Sequence, residues 1–562
     1  MRRITLDFRR SVIYQAYIKS FNDTDGNGVG DLRGITEKIP YLSKLGVDIV
    51  WINPFYPSPQ NDNGYDIADY YAIDPLFGTM EDFEELVRVG EEYEIGIMMD
   101  LVINHTSTEH EWFQKALAGD KKYQDYYILR DPVEGQDFPT NWVSKFGGSA
   151  WEPFGDTGKF YLSLYDPTQA DLNWRNPKVR KEAADIVNFW MDKGIKGFRL
   201  DVINVIGKDK ELINSTGDID QEKSLYTDKP IVHDYLRELN HRSFGKDPEF
   251  ITVGEMSSTT IESCIGYTKP ENDELNMVFN FHHLKVDYPN KEKWTKAPFD
   301  FLELKKIIND WQLGLGANGG WNALFWNNHD QPRALTRFGD DKKYREKSAT
   351  NQGHILHFLH GTPFIYQGEE IGMTDPYFTK MDQYQDVESH NAYYNLKEKG
   401  KTHKEALEII QAKSRDNSRT PMQWNEEENA GFTTGTPWIQ VAENYKEINV
   451  EKELKEGEIF KYYQKLIELR KELEVIQVGS YVPMFLEHEQ VWAYRRSYKN
   501  QEIITFSNFY GEPIHLDLSQ EVEEGDWKYL LGNYGEKAYN ENLELAPYEA
   551  ISFIQTMDNP LK

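Results

Sequence analysis

Cysteine is almost absent from this chain: Cys264 is the only one in 562 residues, so no internal disulfide can form. Long apolar runs are missing too, and none approaches the ~18 residues that a membrane span needs. Positive charge is in short supply. There are 63 Lys and Arg against 93 Asp and Glu, a formal net charge of −30, which argues against nucleic acid and anionic membranes as partners. An anionic substrate would have to be met by a local basic patch, because the global field opposes it. The opening stretch MRRITLDFRRSVIYQ has basic residues but neither an apolar run nor a small-residue cleavage site. The expectation is a soluble, cytoplasmic protein. No internal repeat or low-complexity segment stands out.

What is present is apolar and aromatic mass, 39% and 14% of residues, enough for a large core. The length suggests three to four domain-sized units of about 150 residues each. Short apolar runs alternate with amphipathic stretches. SVIYQAY reads as a strand, GITEKIPYLSKLG as a helix ending at Gly46, VDIVWIN as a strand, TMEDFEELVRVGEEYE as a helix and IGIMMDLVIN as a strand. Helical periodicity returns at KVRKEAADIVNFWMDKG, followed by IKGFRLDVI; EFITVGEM, NMVFNF, WNALFWNN and PFIYQGEE read as later strands. Strands alternating with helices make parallel βαβ units. Eight such strands predict an α/β fold, a (β/α)8 TIM barrel, formed by residues 1–104 and 174–479. Residues 105–173, rich in Trp, Gly, Pro and Asp, are expected to form an inserted domain after strand three. From about residue 480 the pattern changes to short alternating strands, VWAYRRSY, EIITFSNFY and EAISFIQ, predicting a C-terminal antiparallel β-domain over 480–562.

A barrel of this kind carries its chemistry at the C-terminal ends of the strands. Strand three ends at Asn104 and His105, strand four at Arg199 and Asp201, strand five at Glu255 and strand seven at His329 and Asp330. Three carboxylates from three strands, flanked by His and Arg, need a reason to crowd together. A glycosidase supplies one: a nucleophile, an acid whose pKa is raised, and a third carboxylate that grips the sugar.

At these residues the chain resembles the α-amylase superfamily, glycoside hydrolase family 13. DLVINH, GFRLDVI, GEM and NNHDQP are similar to its four ordered signature segments, and the resemblance spans nearly the whole chain. It implies a retaining mechanism with Asp201 as nucleophile, Glu255 as general acid and then base, and Asp330 as transition-state stabiliser. Arg199, two residues before the nucleophile, would keep Asp201 ionised. His105 and His329 would bond the hydroxyls of the −1 sugar. Asp62 and Tyr65 in NDNGYDI and Arg415 in SRDNSRTPMQW match further −1 residues of the oligosaccharide-glucosidase branch, whose pocket admits one terminal glucose and implies exo-action. Arg419 is read as an ion-pair partner and Arg415 as the site residue.

DTDGNGVGDL, residues 23–32, has the spacing of a calcium loop, with Asp23, Asp25, Asn27, the carbonyl of Val29 and Asp31 as ligands. The twelfth position is Gly34 where an EF-hand has a bidentate Glu, and a strand precedes the loop. A calcium sensor is therefore excluded. The resemblance implies a structural Ca²⁺, with Mg²⁺ as the alternative, pinning a barrel loop; no organic cofactor is expected.

Val202 follows the nucleophile, and in this branch Val there is associated with linkages other than α-1,4. Two substrates stay open. One is isomaltose with its longer α-1,6 homologues; the other is a sugar phosphate, trehalose 6-phosphate. HHLKVDYPNKEKWTK packs His282, His283, Lys285, Lys291, Lys293 and Lys296 into fifteen residues of an acidic chain, just after the acid/base. A phosphate carries about −1.5 to −2 charges near neutral pH and needs such donors, whereas a neutral disaccharide needs none. Lys285 and Lys293 are the expected phosphate ligands, with His282 and His283 shaping the +1 side. Glu388 matches a +1-side residue. Lys291 stands where the family usually has Gly, and Gln385 where it often has Arg. A sucrose isomerase would share the barrel, but its Arg-Asp-rich loop is not recognisable. Ancillary transporter subunits of similar fold lack the full carboxylate set and carry a membrane helix. A monomer acting on a small sugar phosphate, with no nucleic-acid or membrane partner, is the expectation.

Overall fold

The structure is a computed structural model that describes residues 6–557; the first five residues of the opening stretch and the last five of the C-terminal domain lie outside it. Eight strands, buried along their whole length, form one sheet: β1 (Ile13–Ala16), β2 (Ile49–Ile52), β3 (Gly96–Leu101), β4 (Gly197–Leu200), β5 (Ile251–Glu255), β6 (Met277–Phe279), β7 (Ala323–Leu324) and β8 (Thr362–Tyr366). Their order is β6-β5-β4-β3-β2-β1-β8-β7. Each strand lies beside a sequence neighbour and β8 beside β1, with β6 and β7 at the two ends, the cyclic order of a (β/α)8 barrel. The recorded pairs are parallel, as in β3–β4, where Asp100 faces Arg199, and β4–β5, where Leu200 faces Gly254. Strands covered on both faces read as continuous apolar runs, and GIMMDL departs from this only at Asp100.

The chain folds as two compact units. The first is Met1–Leu6 with Trp51–Phe281. Its helices start where sequence chemistry dictates. In α2, Met80–Glu92, Thr79 and Asp82 form a reciprocal capping box. Helix α3, Pro177–Asp192, starts on the Asn176 side chain with Pro177 in its first turn. The stretch between β3 and α3 holds short elements: His105–Ser107 pairs with Gln169–Asp171, and Leu129–Arg130, Phe160–Leu162 and Trp151–Pro153 make a small antiparallel sheet. Its core joins Trp142, Trp151 and Leu162 to Val202, Val205 and Tyr226 beyond β4. The insert is thus seated on the residue that follows Asp201.

The second unit is Asp7–Val50 with His282–Lys562. Helix α1, Leu32–Leu45, stops where Gly46 takes φ 101°, as its glycine allows. A five-stranded antiparallel sheet follows near the C-terminus, in the spatial order Ser480–Met484, Val491–Tyr498, Gln501–Asn508, Ala550–Thr556, Lys528–Gly532. Its core contains Phe506, Phe553, Trp527 and Leu545. Among the described residues, no helix is long and apolar enough to cross a membrane.

The loop after β1 is seated on residues 432–438: Asp23 N–H donates to the Phe432 carbonyl (3.0 Å), and Trp438 N–H to the Gly28 carbonyl (2.9 Å). Gly28 has φ 92°, and a Cβ there would lie 1.8 Å from the Thr436 carbonyl oxygen. Gly28→Ala should therefore cost about 2 kcal/mol or more, from strain and from displaced backbone, seen as a lower Tm in thermal unfolding.

Candidate active site

One residue before the end of β4 stands Arg199, whose guanidinium meets three carboxyls. Arg199 Nη1 donates to Asp100 Oδ1 (2.8 Å) and Asp201 Oδ1 (2.5 Å), and Nη2 lies 2.7 Å from Glu255 Oε2. Backbone register does the placing. Asp100 sits opposite Arg199 on β3, Asp201 N–H is pinned to the Leu101 carbonyl (3.0 Å), and Glu255 is the last residue of β5. Arg199 is 2% exposed and lies over the rings of Trp51 and Tyr65. Asp100 Oδ2 accepts from Tyr65 OH (3.0 Å) and Trp51 Nε1 (3.1 Å). Burial pushes the Asp100 and Asp201 carboxyls above the usual carboxylate range, while Arg199 pulls them back. Arg199 thus favours the ionised Asp201, as expected, but does not cancel the burial.

Glu255 also hydrogen-bonds the Asp201 carboxyl, and its Oε2 accepts from Val202 N–H (3.1 Å). Val202 reaches this position with φ 37°, a left-handed conformation that is strained for a β-branched residue. Two carboxyls in contact suit a nucleophile and an acid acting at one carbon, whereas an inverting pair leaves ~6.5–9.5 Å for a water.

The remaining residues expected in this unit surround that cluster. Tyr65 OH accepts from Asn53 Nδ2 (2.8 Å), and Asp62 Oδ2 from Gln169 Nε2 (3.1 Å). His105 is buried, which lowers its pKa to about 4 and leaves the ring neutral. Asn104 Nδ2 lies 3.1 Å from His105 Nδ1, and Nε2 lies 3.1 Å from the Tyr65 carbonyl, so Nδ1 accepts and Nε2–H donates. A sugar hydroxyl reaches this ring only by sharing one of those bonds. Lys208 Nζ lies 2.6 Å from Asp171 Oδ2 and 2.6 Å from Asn104 Oδ1, an internal cation tying the end of the insert to the end of β3. Asp100, Asp171 and Lys208 were not anticipated. Asp100 had a signal, a charge inside an apolar buried run.

In the second unit, Asp330 Oδ1 accepts from Arg419 Nη2 (2.8 Å) and Arg415 Nη1 (3.3 Å), and Oδ2 lies 3.3 Å from His329 Nε2. Gln15 Nε2 lies 2.9 Å from His329 Nδ1, and Tyr17 stacks on the ring. Arg415 Nη2 donates to Asp386 Oδ1 (2.6 Å), and Nε lies 3.4 Å from Glu388 Oε2. Burial pushes the Asp386 carboxyl up, but Arg415 and Arg419 outweigh it and hold it well below the usual range. Arg419, read from sequence as an ion-pair partner, does pair, and its partner is Asp330 itself.

The basic stretch divides. Lys293 Nζ is clamped by both oxygens of Glu388 (2.8 and 2.7 Å), so a phosphate would have to share it. His283 is buried on Phe325 and Trp326, its Nε2 3.1 Å from the Phe325 carbonyl and its pKa lowered to about 3 by burial; it packs the core as a neutral ring. His282 lies against Trp311. Lys285 and Lys291 are exposed, and Lys296 lies 3.4 Å from Glu408.

One oxygen from each of Asp23, Asp25 and Asp31 lies within 4.8 Å of the others. Asp23 Oδ1 accepts from Gly26 N–H (2.9 Å), Asn27 Oδ1 from Val29 N–H (2.8 Å), and Asp31 Oδ1 caps α1 through Gly34 N–H (2.7 Å). An all-oxygen set of this kind fits a hard divalent cation.

The family profile described as Alpha amylase, catalytic domain, matches residues 15–479, and that of Maltogenic Amylase, C-terminal domain, matches residues 484–551. The chain is 53% identical to a trehalose-6-phosphate hydrolase of Bacillus subtilis, covering 97% of this chain and 98% of that protein. It is 44% identical to an oligo-1,6-glucosidase of Bacillus cereus, covering 97% and 99%. The crystal structure of a Bacillus licheniformis trehalose-6-phosphate hydrolase superposes with a TM-score of 0.94 at 52% identity, covering 98% of this chain and 100% of that one.

Because burial raises the Asp201 carboxyl, the acid limb of kcat/KM should lie above the ordinary Asp range, with activity lost as pH falls through it. A pH–rate profile reads this directly. Asp201→Asn should lower kcat by roughly 10⁴-fold or more while the far-UV circular dichroism stays unchanged.

Proposed function

This chain belongs to the α-amylase family, glycoside hydrolase family 13, and on that premise we propose that it hydrolyses trehalose 6-phosphate to glucose and glucose 6-phosphate, acting at the terminal glucose with retention. The observation that carries this is the full-length identity of 53% to a trehalose-6-phosphate hydrolase, against 44% to an oligo-1,6-glucosidase. A second reading, hydrolysis of isomaltose and its homologues, is favoured by one contact: Glu388 already neutralises Lys293, which suits an uncharged leaving group.

Asp201 attacks the anomeric carbon as Glu255 protonates the glycosidic oxygen. Glucose 6-phosphate leaves, and a glucosyl ester on Asp201 remains. Glu255, now a carboxylate, takes a proton from water; the water oxygen attacks the same carbon, releasing glucose and restoring Asp201. Two donors converge on Glu255 Oε2, so the transferable proton belongs on Oε1. Asp330, oriented by Arg419 and Arg415, stabilises the positive charge that develops on the ring. Asp62, Tyr65, His105, His329 and Arg415 hold the −1 glucose. His282 borders the +1 side, Glu388 orients Lys293, and Lys285 with Lys293 takes the phosphate.

Asp23, Asp25, Asn27, the Val29 carbonyl and Asp31 would hold a Ca²⁺ or Mg²⁺ that stiffens the loop between β1 and α1. The ion supplies no step of the reaction. We further read the protein as a cytoplasmic monomer acting on a small sugar phosphate.

Glucose release from trehalose 6-phosphate, trehalose and isomaltose at matched concentration tests the function. Trehalose 6-phosphate should lead by about 100-fold in kcat/KM; a lead for isomaltose would replace this reading with the second. Chelation with EDTA should lower Tm, with recovery on adding Ca²⁺ and with kcat at 25 °C unchanged.

A further inference from the structure

We propose that Lys413 and Arg337 form a buried excess of positive charge beneath residues 282–293 that sets the preference for a phosphorylated leaving group. This rests on the trehalose 6-phosphate reading above. The centre of the arrangement is Asp287, which lies between Lys285 and Lys293 in the chain. Arg337 grips it with two nitrogens, Nε to Oδ2 (2.9 Å) and Nη2 to Oδ1 (2.5 Å), and Nη2 also donates to the Leu284 carbonyl. That bidentate pair alone satisfies the carboxylate. Lys413 is added to it: Nζ lies 2.5 Å from Asp287 Oδ2 and 3.2 Å from the Asp287 carbonyl.

The side chains of Arg337, Lys413 and Asp287 are 4%, 2% and 6% exposed. Two buried cations therefore face one carboxylate. The Tyr288 ring lies beside both, 5.5 Å from the guanidinium and 4.8 Å from the ammonium, and softens the excess without cancelling it. Another acid, Asp375, feels Arg337, but its Oδ1 accepts from the Arg333 backbone N–H (2.8 Å), while its own N–H donates to the Thr336 hydroxyl (3.0 Å). Around the expected phosphate ligands the charges match, Arg415, Arg419 and Lys293 facing Asp330, Asp386 and Glu388, while the buried Arg333, Arg470 and Arg496 bond backbone carbonyls. An unmatched buried cation is costly. Burial, and then Arg337, lower the Lys413 pKa to about 8, the state of an amine that an arriving anion would stabilise. Lys413 also feels Lys293, which couples the excess to the expected phosphate ligand. Lys413 acts through the loop, as a positioning residue.

The test is Lys413→Met, which leaves the Arg337–Asp287 pair whole. We would measure kcat and KM on trehalose 6-phosphate and isomaltose, together with Tm. The ratio of kcat/KM for the phosphorylated over the neutral substrate should fall about tenfold, through KM for trehalose 6-phosphate, and Tm should not fall. Lys413→Arg should restore the ratio. Lys296→Met, which removes an exposed charge, should leave it unaltered. An unchanged ratio in Lys413→Met, or an equal loss on both substrates, overturns the inference while the substrate reading stands. If Met does not fold, Lys413→Gln takes its place with the same criteria. A wild-type preference for isomaltose overturns the substrate reading and the inference with it.

Discussion

The geometry around Arg199 depends on a count of charges. One guanidinium touches the carboxyls of Asp100, Asp201 and Glu255, so three potential anions share one permanent cation in a buried place. Desolvation makes the fully ionised trio expensive, and removing the arginine would make it worse. The cluster as a whole therefore holds a proton at a pH where isolated carboxylates have lost theirs, and that proton belongs to the group rather than to one residue. Acid–base chemistry at a sugar needs this: one carboxyl charged and its neighbour protonated at the same pH.

Most of this cluster was legible because it sits at strand ends. Arg199, Asp201 and Glu255 lie at the C-terminal ends of β4 and β5, where a barrel exposes its side chains, and the alternation of apolar runs with helices located those ends. Asp100 is one residue from the end of β3, as Arg199 is of β4, but the apolar run continues to Ile103 in the sequence and so hid that end. Lys208 had no local signal, since its partners Asn104 and Asp171 are 104 and 37 residues away. Charge clustering drew attention to Lys293, but the acid that clamps it, Glu388, comes 95 residues later. Arg415 and Arg419 are one helical turn apart and fall on one face, which is why choosing between them from spacing alone undervalued Arg419. His283 differs from His282 only in which side of a short helical turn meets Phe325, and residue type says nothing of that.

The fold meets the need for internal cations in two ways. Where buried oxygens of Asp171 and Asn104 need a donor, the chain supplies its own ammonium from Lys208. In the loop between β1 and α1, the carboxylates instead take backbone N–H groups and hydroxyls, such as that of Thr433 on Asp23 (2.5 Å). A lysine delivers one charge on a flexible stem and holds two partners. The three carboxylates of Asp23, Asp25 and Asp31, gathered within 4.8 Å, are a set that a hard divalent ion fits and a lysine does not.

Val202 joins two parts of the first unit. Its side chain belongs to the apolar core that includes Trp142, Trp151 and Leu162, while its backbone N–H points at Glu255. A glycine would relax the φ of 37° but would surrender that anchorage. The residue works as a lever whose long arm is the packing of the insert and whose short arm ends on the proton donor. Repacking of the insert's core would therefore be transmitted to the acid through one residue.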